Sequence, residues 1–153
     1  MTRLGKITSR FVATGAYVGN SPYMPGTLGT LWGIAIAYFT SCLSPLWQIM
    51  IILAVTAVAM VTAGVTAKEA GIKDPSSIVC DEIAGALVGF FMVPFTLFNA
   101  LSVFIIFRFF DILKPYPINL IDKRVEGGLG IVLDDIVAGL FTAVIVHSIL
   151  WLI

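Results

Sequence analysis

Five carboxylates, Asp81, Glu82, Asp111, Asp134 and Asp135, and two cations, Arg108 and Lys114, fall in short polar stretches of an otherwise apolar chain. A donor set of oxygens without thiol or imidazole suits Mg²⁺, Mn²⁺ or Ca²⁺, and Mg²⁺ bridging carboxylates to a phosphate is the common catalytic use. Acids that can hold a cation, beside an arginine and a lysine that can hold phosphate oxygens, make an inventory for phosphoryl transfer. Residue by residue there is a plainer reading. Arg108 and Asp111 stand three apart and can pair on one helical face, and Lys114 suits a helix C-terminus through the dipole.

Spacing shows which way the acids face. Asp81, Gly85 and Gly89 recur every fourth residue and form one stripe of a helix containing a GxxxG pattern. Asp135, Gly139 and Ala143 form a second such stripe, with Asp134, Ala138 and Thr142 beside it. Stripes of small residues pack against neighbouring helices, which turns these acids inward. An aspartate at the centre of a membrane helix costs roughly 2.5–3.5 kcal/mol on insertion scales, so an inward-facing acid calls for a partner or a task.

Two glycine-containing segments lead into apolar runs. The first, 19–30, ends in Pro25-Gly26-Thr27-Leu28-Gly29-Thr30, where Thr27 or Thr30 could cap a helix or touch a phosphate on its exposed N–H groups. The second, Gly127-Gly128-Leu129-Gly130, reads as a turn before Asp134-Asp135. Two aspartates would repel a phosphate there unless a cation intervenes, which favours a metal.

These groups need a scaffold, and its solvent is lipid. Of the 153 residues 59% are hydrophobic and 12% charged, with a mean hydropathy of +1.02, whereas soluble domains carry roughly 25% charged residues. The charges gather in residues 1–10, 68–82 and 108–135, and none lies between Phe11 and Ala67. Between them run Leu28–Leu43, Leu46–Thr66, Ile83–Phe107 and residues 136–153. A span needs roughly 20 apolar residues, which the second and fourth stretches supply. Ser44-Pro45 makes a hairpin tip, since proline ends a helix and the residue before it avoids the helical region. Ile83–Phe107 is either one span or a hairpin broken near Pro94. The hairpin is preferred, because it places every Lys and Arg on one face, as the positive-inside rule requires of the cytoplasm. Segment 11–24 reads as an interfacial helix followed by a loop. The expected fold is all-α: a polytopic helical membrane bundle of about four to five transmembrane or re-entrant helices, forming one domain over 1–153.

Several functions are excluded. A formal net charge of zero leaves no basic surplus for nucleic acid. Cys42 and Cys80 belong to no CxxC or Cys/His cluster, so neither a disulfide framework nor a zinc site is indicated. The basic N-terminus (Arg3, Lys6, Arg10) lacks the features of a cleaved signal peptide. His147, the only histidine, lies deep in the last apolar run with no arginine near it, and no Cys-x5-Arg or Asp-x-Asp motif appears.

Four blocks carry a resemblance. They are Pro22-x-x-Pro25-Gly26-Thr27-x-Gly29, Asp81-Glu82-x-x-Gly85, Arg108-x-x-Asp111-x-x-Lys114-Pro115-x-Pro117-Ile118, and Gly127-Gly128-x-Gly130-Ile131-x-x-Asp134-Asp135-x-x-Ala138-Gly139. In this order the chain resembles the phosphatidylglycerophosphatase A family. Thr30 stands where serine is commoner and keeps the hydroxyl. The resemblance implies a membrane enzyme that removes the terminal phosphate of phosphatidylglycerophosphate using Mg²⁺, in a bacterial inner membrane with its site on the cytoplasmic face. Asp81, Glu82, Asp111, Asp134 and Asp135 are then expected to hold Mg²⁺ directly or through water, and Arg108, Lys114, Thr27 and Thr30 to hold phosphate. The spacing does not rank the acids as ligands or base. The rival class, a small ion-coupled transporter or channel component, requires acids spread through the depth of the bilayer; here they cluster at helix ends.

Overall fold

The computed structural model describes residues 2–152, which leaves Met1 and Ile153 of the expected domain and last span outside it. Seven α-helices and no strand occur among the described residues: α1 (Arg3–Ala13), α2 (Pro25–Thr40), α3 (Pro45–Ala70), α4 (Cys80–Gly89), α5 (Leu97–Leu113), α6 (Ile118–Arg124) and α7 (Gly127–Leu152). Helices α3 and α7, of 26 residues each, are long and apolar enough to cross a membrane, about 39 Å at 1.5 Å per residue.

The two proline-marked tips lie together at the end away from the acids. The expected tip at Ser44-Pro45 is where α3 begins, with Ser44 as its N-cap and Pro45 in its first turn. The stretch Ile83–Phe107 is a hairpin: α4 ends at Gly89 and α5 starts at Leu97, with Thr96 capping Asn99 N–H and Asn99 donating to Pro94 O at 2.7 Å. Gln48 fastens one tip to the other, accepting from Met92 N–H and donating to Leu43 O, both at 2.9 Å.

Helix α4 is the core element, buried throughout except for the half-buried Glu82, and it packs against α2, α3, α5 and α7. Its tightest crossing is with α7. A Cβ on Gly85 would stand 2.6 Å from Asp135 O and from the Phe107 ring, and one on Gly139 would overlap Gly85 O. The small stripes therefore do meet one another, and the acid at the head of each is carried to the same place.

Three local expectations are corrected. The N-terminal helix occupies Arg3–Ala13, not 11–24; positive φ at Ala16 and Tyr17 turns the chain away afterwards. Helix α2 starts at Pro25, so Gly26 to Thr30 are helical. Gly128 and Gly130 likewise lie inside α7, which places Asp134 and Asp135 in its second and third turns instead of beyond a loop. Gly128 is needed for contact with α3, where a Cβ would overlap Met60 O.

Candidate active site

The charged ends of α4, α5 and α7, the start of α2 and the segment 74–78 enclose a cavity of about 270 Å³. Asp81 and Glu82 reach it from the first turn of α4. Arg108, Asp111 and Ile112 come from the last turns of α5, with Lys114 as its C-cap. Asp134 and Asp135 come from α7, Asp74 from the α3–α4 segment, and Pro25 and Gly26 from α2.

Within the cavity the acids divide. Asp81, Glu82 and Asp135 offer carboxylate oxygens that all lie within 4.8 Å of one another. Asp81 and Asp135 are buried, and Asp81 Oδ1, Glu82 Oε2 and Asp135 Oδ2 have no hydrogen-bond partner among the described residues. The other two acids already face cations. Asp111 pairs with Arg108, and Asp134 Oδ2 lies 2.6 Å from Lys114 Nζ, leaving Asp134 Oδ1 without a partner.

Lys114 is held twice, since Nζ also lies 2.8 Å from Asp122 Oδ1 of α6. Lys73 Nζ ties down the same residue, donating to Asp122 O at 2.8 Å. Burial works to lower the Lys114 pKa, but the hydrogen bonds it donates to Asp122 and Asp134 outweigh it and hold it above the ordinary lysine value. Burial raises the Asp74 pKa, with the Lys114 charge opposing.

Three close carboxylates cannot all ionise in a buried site without a compensating charge. A hard divalent cation fits this all-oxygen donor set and its unpartnered oxygens. Gly26 shapes the opposite wall. A Cβ there would run into Glu82 Oε1 and stand 3.0 Å from Arg108 Nη1, so the glycine admits these two groups to the α2 backbone.

The family model of phosphatidylglycerophosphatase A matches residues 11–150, which include every residue of this cavity. The chain belongs to the phosphatidylglycerophosphatase A family. It is 36% identical to the Escherichia coli protein named phosphatidylglycerophosphatase A, over 90% of this chain and 81% of that one. A Haemophilus influenzae protein of the same name is 35% identical over 82% of this chain and 78% of its own length. A Bacteroides thetaiotaomicron relative, provisionally named a phosphatidylinositol-3-phosphatase, is 29% identical over 93% of both chains. No solved structure matches the chain at a comparable level.

Against the sequence-predicted set, the structure brings all five acids, Arg108 and Lys114 to one cavity of this family member. Thr27 and Thr30 do not line it. Thr30 is fully buried and donates to Gly26 O at 2.9 Å, so its hydroxyl serves the first turns of α2. Sequence reasoning missed Asp74 and Asp122. Each lies in a charged cluster, but neither stands on an apolar stripe that would reveal its direction.

Proposed function

We propose that this chain is a Mg²⁺-dependent phosphatidylglycerophosphatase, hydrolysing the terminal phosphomonoester of phosphatidylglycerophosphate to phosphatidylglycerol and phosphate. The observation that carries the reading is the convergence of unpartnered Asp81, Glu82 and Asp135 beside Arg108 and Lys114 in one cavity of a family member. Acids collected at one end of the bundle suit a headgroup reaction better than ion coupling, which needs charges along a path.

In this reading Asp81, Glu82 and Asp135 hold Mg²⁺. The ion, when bound, supplies positive charge to the oxygens of the transferring phosphoryl group. Arg108 donates to phosphate oxygens, and Asp111 fixes the direction of its guanidinium. Lys114 adds a second positive charge beside the phosphate. It also anchors Asp134 at Oδ2 and leaves Oδ1 free to accept a proton from an attacking water. Direct attack by water is preferred to an aspartyl-phosphate.

The whole chain acts as one membrane-embedded domain, crossing the bilayer several times with the cavity on the cytoplasmic face. Six of the nine Lys and Arg residues, Lys68, Lys73, Arg108, Lys114, Lys123 and Arg124, lie in or next to the segments that frame the cavity, which agrees with that orientation. The test is phosphate release from phosphatidylglycerophosphate by the purified protein in detergent, with Mg²⁺ and with EDTA, beside Asp135→Asn. Metal-dependent release that the variant lacks is the expected result; no release under either condition rejects the reading.

A further inference from the structure

The polar cavity has an apolar rim. Ile112 lines the cavity wall and is also 66% exposed on the outside of α5. Pro25 of α2 lines the same cavity and is preceded by Tyr23 and Met24, which are 80% and 69% exposed. Deeper along the same seam, Gly26 approaches Arg108 and closes the gap between α2 and α5. Pro25 and Ile112 are thus the apolar residues that α2 and α5 contribute to the cavity wall.

From Ile112 an uninterrupted apolar track leads away along α5. Phe98, Leu101, Ile105 and Phe109 precede it at spacings of three and four, so all share its face, and each is more than half exposed. The 14 residue steps from Phe98 to Ile112 cover about 21 Å at 1.5 Å per residue, comparable to an extended acyl chain. A track that began anywhere else on the bundle would be ordinary lipid-facing surface. This one starts at the lip of a phosphate-binding cavity, and an amphiphile with an anionic head and an apolar tail matches both parts at once.

We infer that the lipid substrate enters sideways from the bilayer between Pro25 and Ile112, with its phosphate in the cavity and one acyl chain lying along the Phe98–Ile112 face of α5. This rests on the phosphatase reading above and adds the location of the chain. Binding there keeps the tail in hydrocarbon throughout turnover, and discrimination falls on the tail as well as the headgroup.

The test compares phosphatidylglycerophosphate bearing long chains with its water-soluble dibutanoyl form, using full-length protein with Mg²⁺. In Ile105→Gln and Phe109→Gln, neither of which lines the cavity, the KM for the long-chain lipid is expected to rise about tenfold while the dibutanoyl substrate is handled as before. The control Leu53→Gln, at a position 59% exposed on α3, is expected to change neither. Equal effects on both substrates, or none on the long-chain one, overturn the inference. Wild-type protein that releases phosphate from neither substrate overturns the phosphatase reading first and this one with it. A photo-crosslinking residue at position 112 or at position 53 supplies a readout independent of turnover, using radiolabelled long-chain substrate with EDTA present. Stronger labelling at 112 is expected; equal labelling at both contradicts the inference.

Discussion

Gly139 of α7 lies so close to the Gly85 carbonyl of α4 that a methyl group on it would overlap that oxygen. One turn away from this contact stand Asp135 and Asp81, whose carboxylates belong to the same metal-sized cluster. Helix packing and site assembly are thus one event. Gly139→Val is expected to push α7 off α4, at about 1–3 kcal/mol for overpacking. Thermal unfolding in detergent should fall by several degrees, and Mn²⁺ binding followed by electron paramagnetic resonance should be lost. Wild-type metal affinity in this variant would mean that the crossing does not set the carboxylate spacing.

The three carboxylates make opposite predictions for the metal-free and metal-loaded protein. Without a cation their proximity opposes folding, so Asp81→Asn or Asp135→Asn is expected to raise the melting temperature in EDTA. With Mg²⁺ the order reverses. A ligand at 100 times its Kd stabilises by about 2.7 kcal/mol, and the variants should lose most of that gain along with phosphate release. Melting curves with EDTA and with Mg²⁺ read both signs. An unchanged Mg²⁺-dependent shift would remove the residue from the metal site.

Gly26 tests the opposite wall. Gly26→Ala places a methyl group against Glu82 Oε1 and Arg108 Nη1, displacing one group proposed to hold the metal and one proposed to hold phosphate. Misplacement by about 1 Å can cost about 100-fold in rate, so kcat/KM should fall by roughly one to two orders of magnitude. Little change in thermal stability is expected, since alanine favours a helix over glycine. Steady-state kinetics beside melting curves separate the two effects.

Much of this architecture is legible in the sequence. Ser44-Pro45 and the break at Pro94 both mark real helix ends, because proline acts on its own backbone and its predecessor wherever the chain goes. The inward stripes headed by Asp81 and Asp135 were readable because small residues at helical spacing have little use except close packing. Glycine itself was ambiguous. Gly127 to Gly130 reads as a turn, yet Gly128 sits inside α7 because α3 passes too near for a side chain. The split of the five acids into a trio and two ion-paired members was not legible, since it depends on how α4 and α7 cross. Asp122 escaped notice because it meets Lys114 only after the turn at residues 115–117 brings α6 back toward α7.

Asp74 is largely open to solvent but lines the cavity, where partial loss of hydration and the nearby Asp122 and Asp111 raise its pKa against the pull of Lys114, so its ionised form is modestly disfavoured in the fold. The sign follows from proton linkage. An acid with a folded-state pKa above its unfolded value imposes no penalty below the unfolded pKa of about 3.9, and the full penalty above the folded one. Asp74→Asn should therefore stabilise the metal-free protein at neutral pH, with the gain shrinking as pH falls toward 4. Melting curves at pH 4 and pH 7 in EDTA check this. A variant less stable than wild type at pH 7 would show that Asp74 makes a favourable contact outweighing its lost hydration.

Asp122 is expected to act on the reaction through Lys114. Burial alone would pull the lysine pKa down, and the hydrogen bonds to Asp122 and Asp134 reverse that. A lysine whose folded-state pKa is raised stabilises the protein fully below its unfolded value of about 10.4, and loses that contribution as pH rises through the folded value. In wild type the positive charge of Lys114 thus persists across the whole working range. Asp122→Asn removes one of the two carboxylates while burial remains, so Lys114 should lose its proton at lower pH than in wild type. The alkaline limb of kcat/KM should move down accordingly, with activity near neutrality much less affected. Asp122→Glu should restore part of the wild-type profile if charge is what matters. A simple structural role would instead lower the rate evenly at every pH. A pH-rate series on wild type and both variants separates these, and an alkaline limb that stays in place would leave Asp134 alone as the group that keeps Lys114 charged.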